Sequence, residues 1–134
     1  MLTREEKKAL KRIVKKVKAQ ATPHNVICLD ALLNIDSRKR IYTMTVDDLR
    51  LTLTYSFGSQ RIHVRSFTHY TLDVYSFDTD ATYTYESVYD PGDIFTPFEN
   101  KMLSKLRGIF VEMCEKKEKS KQLETLHKVF KNFS

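Results

Sequence analysis

The chain has 134 residues and a mass of 15.8 kDa, enough for one real core and too little for two full domains. Hydrophobic residues at 41% and charged residues at 30% exclude wholesale disorder. The net charge of +6 sits at the ends: residues 1–20 hold eight Lys/Arg against two Glu and 97–134 nine against five, while 21–96 holds six against ten Asp/Glu.

Thr3-Arg4-Glu5-Glu6 fits a capping box, in which the Thr3 hydroxyl accepts from the Glu6 amide and the Glu6 carboxylate accepts from the Thr3 amide. A helix over 3–21 is predicted to start there. Leu10, Ile13, Val14, Val17 and Ala21 recur at helical spacing as one apolar stripe, with Arg4, Lys8, Lys11, Arg12, Lys15 and Lys18 on the remaining arc. Pro23 ends it, because the residue before a proline is pushed out of the α region. The apolar run 26–33 has mixed periodicity; a short helix and a buried strand both fit, and the helix is preferred. Asp36-Ser37-Arg38-Lys39 reads as a polar turn.

From about Arg40 the pattern changes to period two. Leu49, Leu51, Leu53, Tyr55 and Phe57 alternate with Arg50, Thr52, Thr54 and Ser56, the signature of a strand with one buried face. Gly58-Ser59 suits a two-residue hairpin loop, which pairs Tyr55 with Ile62 and Leu53 with Val64. A second hairpin is expected between 70–77 and 82–88 around Asp78-Thr79-Asp80-Ala81, in a register that sets Val74 opposite Tyr85 and Asp73 opposite Glu86. Two carboxylates directly opposite repel, so that face is expected either to be solvated or to lie under a cationic group.

Asp90-Pro91-Gly92-Asp93 is a tight turn that closes the sheet. Thr96-Pro97-Phe98-Glu99 then opens a helix, with threonine as N-cap, proline in the first helical position and glutamate closing the box. Met102, Leu103, Leu106, Ile109, Phe110 and Met113 form its buried stripe, which the run from Glu115 to Lys121 interrupts. Leu123, Leu126, Val129, Phe130 and Phe133 resume an amphipathic pattern, so 96–133 is either one long helix with a projecting end or two helices with a break. The expected fold is α+β: an antiparallel β-meander of four or five strands over 40–89, flanked by a basic N-terminal helix and a long C-terminal helix, in a single domain spanning 1–134.

No catalytic signature, metal-ligand spacing or phosphate loop stands out. No catalytic residue, metal or cofactor is assigned, and the chain is read as a non-enzyme. Cys28 and Cys114 are far apart and form no CxxC, which makes reduced thiols the expectation and Cys114 a small core residue of its helix. His63 and His69, six residues apart, would stand about 20 Å from one another along a strand. The N-terminus is charged at once and no apolar run reaches signal-peptide or membrane-spanning length, so a cytoplasmic location without membrane contact is expected.

Three surfaces carry the functional expectations. Lys8, Lys11, Arg12 and Lys15 on the first helix form a basic face suited to a phosphate backbone, unless it packs over the acidic residues Asp73 and Glu86. Arg50, Arg61, His63 and Arg65 would cluster on the wet face of the first hairpin, with Thr54 opposite His63, and could receive an anion. Leu123, Leu126, Val129, Phe130 and Phe133 can dock in a groove or pair with their own copy. The tyrosines at 42, 55, 70, 75, 83, 85 and 89 read as cross-strand packing, not as a base-stacking platform, since the strands from Tyr70 onward are acidic.

The leading expectation is a non-enzymatic interaction module, an adaptor or inhibitor-type protein that meets a protein partner or its own copy through its C-terminal helix and basic surfaces. The alternative is a sequence-nonspecific nucleic-acid-binding protein that uses the basic N-terminal helix. No small-molecule substrate is evident.

Overall fold

The computed structural model describes residues 2–34, 37–60, 65–89 and 97–133; the side chains of 30–34, 37–38, 58–60, 65–67 and 89 lie outside that description. Five strands, β1 (Ile27–Asn34), β2 (Ser37–Val46), β3 (Leu49–Gln60), β4 (Arg65–Ser76) and β5 (Ala81–Tyr89), pair in sequence order, each antiparallel to the next. Helices α1 (Arg4–Gln20) and α2 (Phe98–Phe133) complete an α+β fold.

Alternation along the strands separates two faces. On the inner face Cys28, Tyr42, Leu53, Leu72 and Tyr85 stand side by side as one row across all five strands. Met44, Leu51, Val74 and Tyr83 form the next row. Both helices press on this face, α1 through fully buried Leu10 and Val17, α2 through fully buried Leu103, Leu106 and Phe110. The rings of Tyr42 and Phe110 stack at 5.8 Å, so strand and helix share one core. The outer face carries Thr43, Thr52, Asp73 and Thr84 in register, and neither helix covers it.

The capping box is formed: the Thr3 amide donates to Glu6 Oε1 at 3.1 Å and the Glu6 amide to Thr3 Oγ1 at 3.2 Å. The expected turn at 90–93 and the N-cap Thr96 lie outside the described residues. From Phe98 onward the C-terminal segment is one unbroken helix of 36 residues, about 54 Å long.

Four expectations are corrected. Residues 27–34 form strand β1, not a helix: pairing with β2 puts Cys28 on the core side and satisfies the backbone of an apolar run too short to nucleate a helix alone. Ser37 to Lys39 belong to β2, not to a turn.

Gly58-Ser59 is not a hairpin loop either. β3 runs through to Gln60, and Tyr55 faces Tyr70, Leu53 faces Leu72 and Leu51 faces Val74. The expected register would have set Leu51 against Ser66 and Leu49 against Thr68, so the longer hairpin wins by matching apolar residues over the whole core face.

The second hairpin is shifted by two residues, with Val74 opposite Tyr83 and Asp73 opposite Thr84. An even shift keeps every side chain on its expected face and removes the clash of Asp73 with Glu86. Thr84 Oγ1 instead donates to Asp73 Oδ1 at 2.7 Å.

Candidate interaction site

The C-terminal helix is anchored at the β1 edge of the sheet and then leaves it. Cys114 is disulfide-bonded to Cys28 with a Cα–Cα distance of 6.3 Å, and Lys117 Nζ donates to the Val26 carbonyl at 3.1 Å. The expectation of reduced thiols is thereby corrected. Two cysteines 86 residues apart carry no pairing signal in sequence, and only the crossing of α2 over β1 brings them within the Cα distance a disulfide needs.

From Glu118 to Phe133 every residue of α2 is exposed. Leu123 (52%), Leu126 (56%), Val129 (48%), Phe130 (73%) and Phe133 (85%) stand in solvent although they form one stripe. At 100° per residue this stripe lies about 160° around the helix from the stripe of Leu103, Leu106, Phe110 and Cys114 that meets the sheet. The two apolar faces of one unbroken helix therefore point almost opposite ways, and the distal one stays exposed.

Helix α1 crosses the inner face obliquely. Near its start the Tyr85 hydroxyl donates to the Glu6 carbonyl at 2.8 Å; near its end Lys16 pairs with Asp47 in the β2–β3 loop. Asp73 and Glu86 belong to the outer face, where His69 Nε2 lies 3.0 Å from Glu86 Oε1. Asp73 and Glu86 therefore do not neutralise α1. Lys8, Lys11, Arg12 and Lys15 span an arc of about 100° on its exposed side and carry no ion pair among the described residues. Lys7 and Lys11 stand over the Phe98 ring at 5.8 and 5.6 Å, and with Arg4 and Lys8 they surround a hollow of about 420 Å³.

Arg50 and Arg65 of the expected basic cluster on the first hairpin are not brought together. Gln60 pairs with Arg65 while Arg50 pairs with Tyr75, so Arg50 and Arg65 occupy opposite ends of the hairpin, about 33 Å apart along the strands. Arg61 and His63 lie outside the described residues, as does the Arg65 side chain, and Thr54 faces Thr71. The Arg50 guanidinium is laid over the rings of Tyr75 (5.0 Å) and Phe77 (5.8 Å). Tyr42, Tyr55, Tyr70 and Tyr85 are buried on the inner face and unavailable for base stacking.

Nothing matches this chain among family models, curated proteins or solved structures. What its surfaces can do rests on their own chemistry. Among the described residues no group of His, Cys, Asp and Glu is placed to hold a metal ion, and no helix is long and apolar enough to cross a membrane.

Among the described residues the perturbed groups are tyrosines in structural positions. Burial raises the Tyr55 pKa above the ordinary phenol value, opposed by the Arg107 guanidinium 4.0 Å from its ring centre. Burial and then the nearby Glu6 charge raise that of Tyr85. Tyr75 is raised chiefly by its hydrogen bond to Asp80.

One feature had no sequence signal at all. Between the Tyr85 and Asp47 anchor points, α1 stands off the sheet and leaves an open cleft of about 510 Å³ over β3, β4 and β5. Its members come from four separate segments, so no local pattern announces it.

Proposed function

We propose that the chain is a non-enzymatic interaction module, an adaptor or inhibitor-type protein, that docks a helical segment of a macromolecular partner along the distal end of α2. The observation that carries the reading is the near-opposite facing of the two apolar stripes on one unbroken helix. Leu103, Leu106 and Phe110 are used on the sheet, whereas Leu123, Leu126, Phe130 and Phe133 face solvent. Burying each of these distal side chains would contribute on the order of 1.5–3 kcal/mol. Positions 123, 126, 130 and 133 alternate by three and four, the spacing that seats knobs of one helix in the holes of another.

Deleting 122–134 tests this. The shortened chain is expected to unfold at the midpoint of the full chain, yet to lose concentration-dependent self-association in sedimentation or the partner cross-linked to the full chain. A shortened chain that fails to fold would make the segment core and overturn the proposal. So would a full chain that sediments as a monomer at every concentration and cross-links to nothing.

A second reading, sequence-nonspecific nucleic-acid binding through α1, is supported by the arc of Lys8, Lys11, Arg12 and Lys15, which carries no ion pair among the described residues. Four phosphate contacts would give log K against log salt a slope of about −3.6 on duplex DNA. Anisotropy titrations of a labelled duplex at rising salt decide it, and binding that ignores salt removes this reading. Disulfides persist in oxidising compartments and are reduced in the cytosol. A cytoplasmic location would therefore leave Cys28 and Cys114 as thiols.

A further inference from the structure

We propose that the cleft between α1 and the inner face of β3–β5 is a binding site for a small amphiphilic anion, an apolar chain or ring that ends in a single acidic head. The volume of about 510 Å³ falls in the range of small-molecule sites. Its floor is apolar: Leu51 is buried, Leu49 and Val74 are only partly covered, and Tyr83 remains 44% exposed on the core side of the sheet. Tyr83 and Tyr85 meet edge to face at 4.9 Å and give the floor a rigid aromatic step. An apolar body laid there would remove from water the inner-face surface that α1 leaves uncovered.

The rim supplies the polarity. Five charged residues border the cleft: Glu5, Lys8, Arg12, Lys16 and Asp47. Lys16 and Asp47 satisfy each other as an ion pair. Lys8 and Arg12 carry no ion pair among the described residues, and against Glu5 they leave one net positive charge at the mouth. That balance matches one anionic head beside the helix and disfavours a cationic one, since charge complementarity at a rim decides which partner is accepted. The site is independent of the distal end of α2, so its fate does not depend on the docking reading above.

The test uses dodecanoate as probe, below its micelle concentration, titrated into the full chain by calorimetry. One dodecanoate is expected to bind per chain, with dodecyltrimethylammonium weaker by at least about tenfold. Ala9→Trp, at an exposed position of α1 that lines the cleft, is expected to fill the space and abolish binding. The surface variant Lys8→Glu/Arg12→Glu leaves the cleft open and is expected to weaken dodecanoate by at least about tenfold. Absence of binding to the full chain would overturn the proposal, as would equal affinity for the cationic detergent or indifference to both variants. Binding to phosphatidylglycerol vesicles without binding to dodecanoate would also overturn it, by assigning the basic rim to a lipid surface.

Discussion

The hydroxyl of Tyr85 on β5 donates to the backbone carbonyl of Glu6 on α1 at 2.8 Å, across 79 residues of sequence. That contact sets α1 on the inner face of the sheet, away from Asp73 and Glu86 on the outer one. It leaves Lys8, Arg12 and Lys15 exposed and holds one end of the cleft.

Tyr85→Phe keeps the buried ring and removes only the hydrogen bond. A loss of about 0.5–1.5 kcal/mol is expected in urea unfolding. A larger loss would mean that the hydroxyl organises more of the α1 contact than this single bond.

Alkaline pH should destabilise the fold through the buried tyrosines. Tyr55 and Tyr85 have folded pKa values above the ordinary one, so above about pH 10 the unfolded chain releases protons that the folded chain retains. Their contribution is fully present below the unfolded pKa and is lost as pH rises through the folded values. Urea midpoints measured from pH 8 to 11 should fall at the top of this range, and less steeply in Tyr55→Phe/Tyr85→Phe. A parallel fall in the double variant would assign the effect to other groups.

The Cys28–Cys114 bond closes a loop of 86 residues. Chain-entropy arguments assign such a bond up to about 4–5 kcal/mol, with about 2–4 kcal/mol commonly measured. Cys28→Ser/Cys114→Ser, or the wild-type chain in dithiothreitol, should lose stability in this range. A variant as stable as the oxidised chain would show that β1 and α2 are held by packing alone.

The two ends of α2 should respond oppositely to substitution. Phe110 is fully buried, so Phe110→Ala should cost about 3–5 kcal/mol. Phe130 and Phe133 are 73% and 85% exposed, and Phe130→Asp/Phe133→Asp should leave the unfolding of isolated chains within about 0.5 kcal/mol. A strong loss from the distal pair at dilution would mean that the projecting end is covered by its own chain.

Much of the architecture was legible in the sequence because it rests on interactions between near neighbours. The capping box at Thr3 and Glu6, the stripe through Leu10 and Val17, the alternation of Leu49 to Phe57 and the polar interruption after Met113 each belong to one short segment. Local chemistry specifies these wherever the segment ends up. The distal seam of α2 was legible for the same reason. What read poorly was β1, whose strand state depends on a partner strand, and the two-residue Asp47-Asp48 link between β2 and β3, which no glycine marks although Asp47 sits at φ 55°.

The tertiary structure alone decided everything that depends on which segments meet. Hairpin registers were settled by apolar pairing along whole strands, which outweighed the turn propensity of Gly58-Ser59 and moved Asp73 from Glu86 to Thr84. The disulfide, the dispersal of Arg50 and Arg65, and the cleft beneath α1 join residues tens of positions apart. The basic helix and the projecting seam are thus properties of the sequence. Their freedom to act, with α1 on the opposite face of the sheet from Asp73 and Glu86 and the seam facing away from the sheet, follows from how the helices cross that sheet.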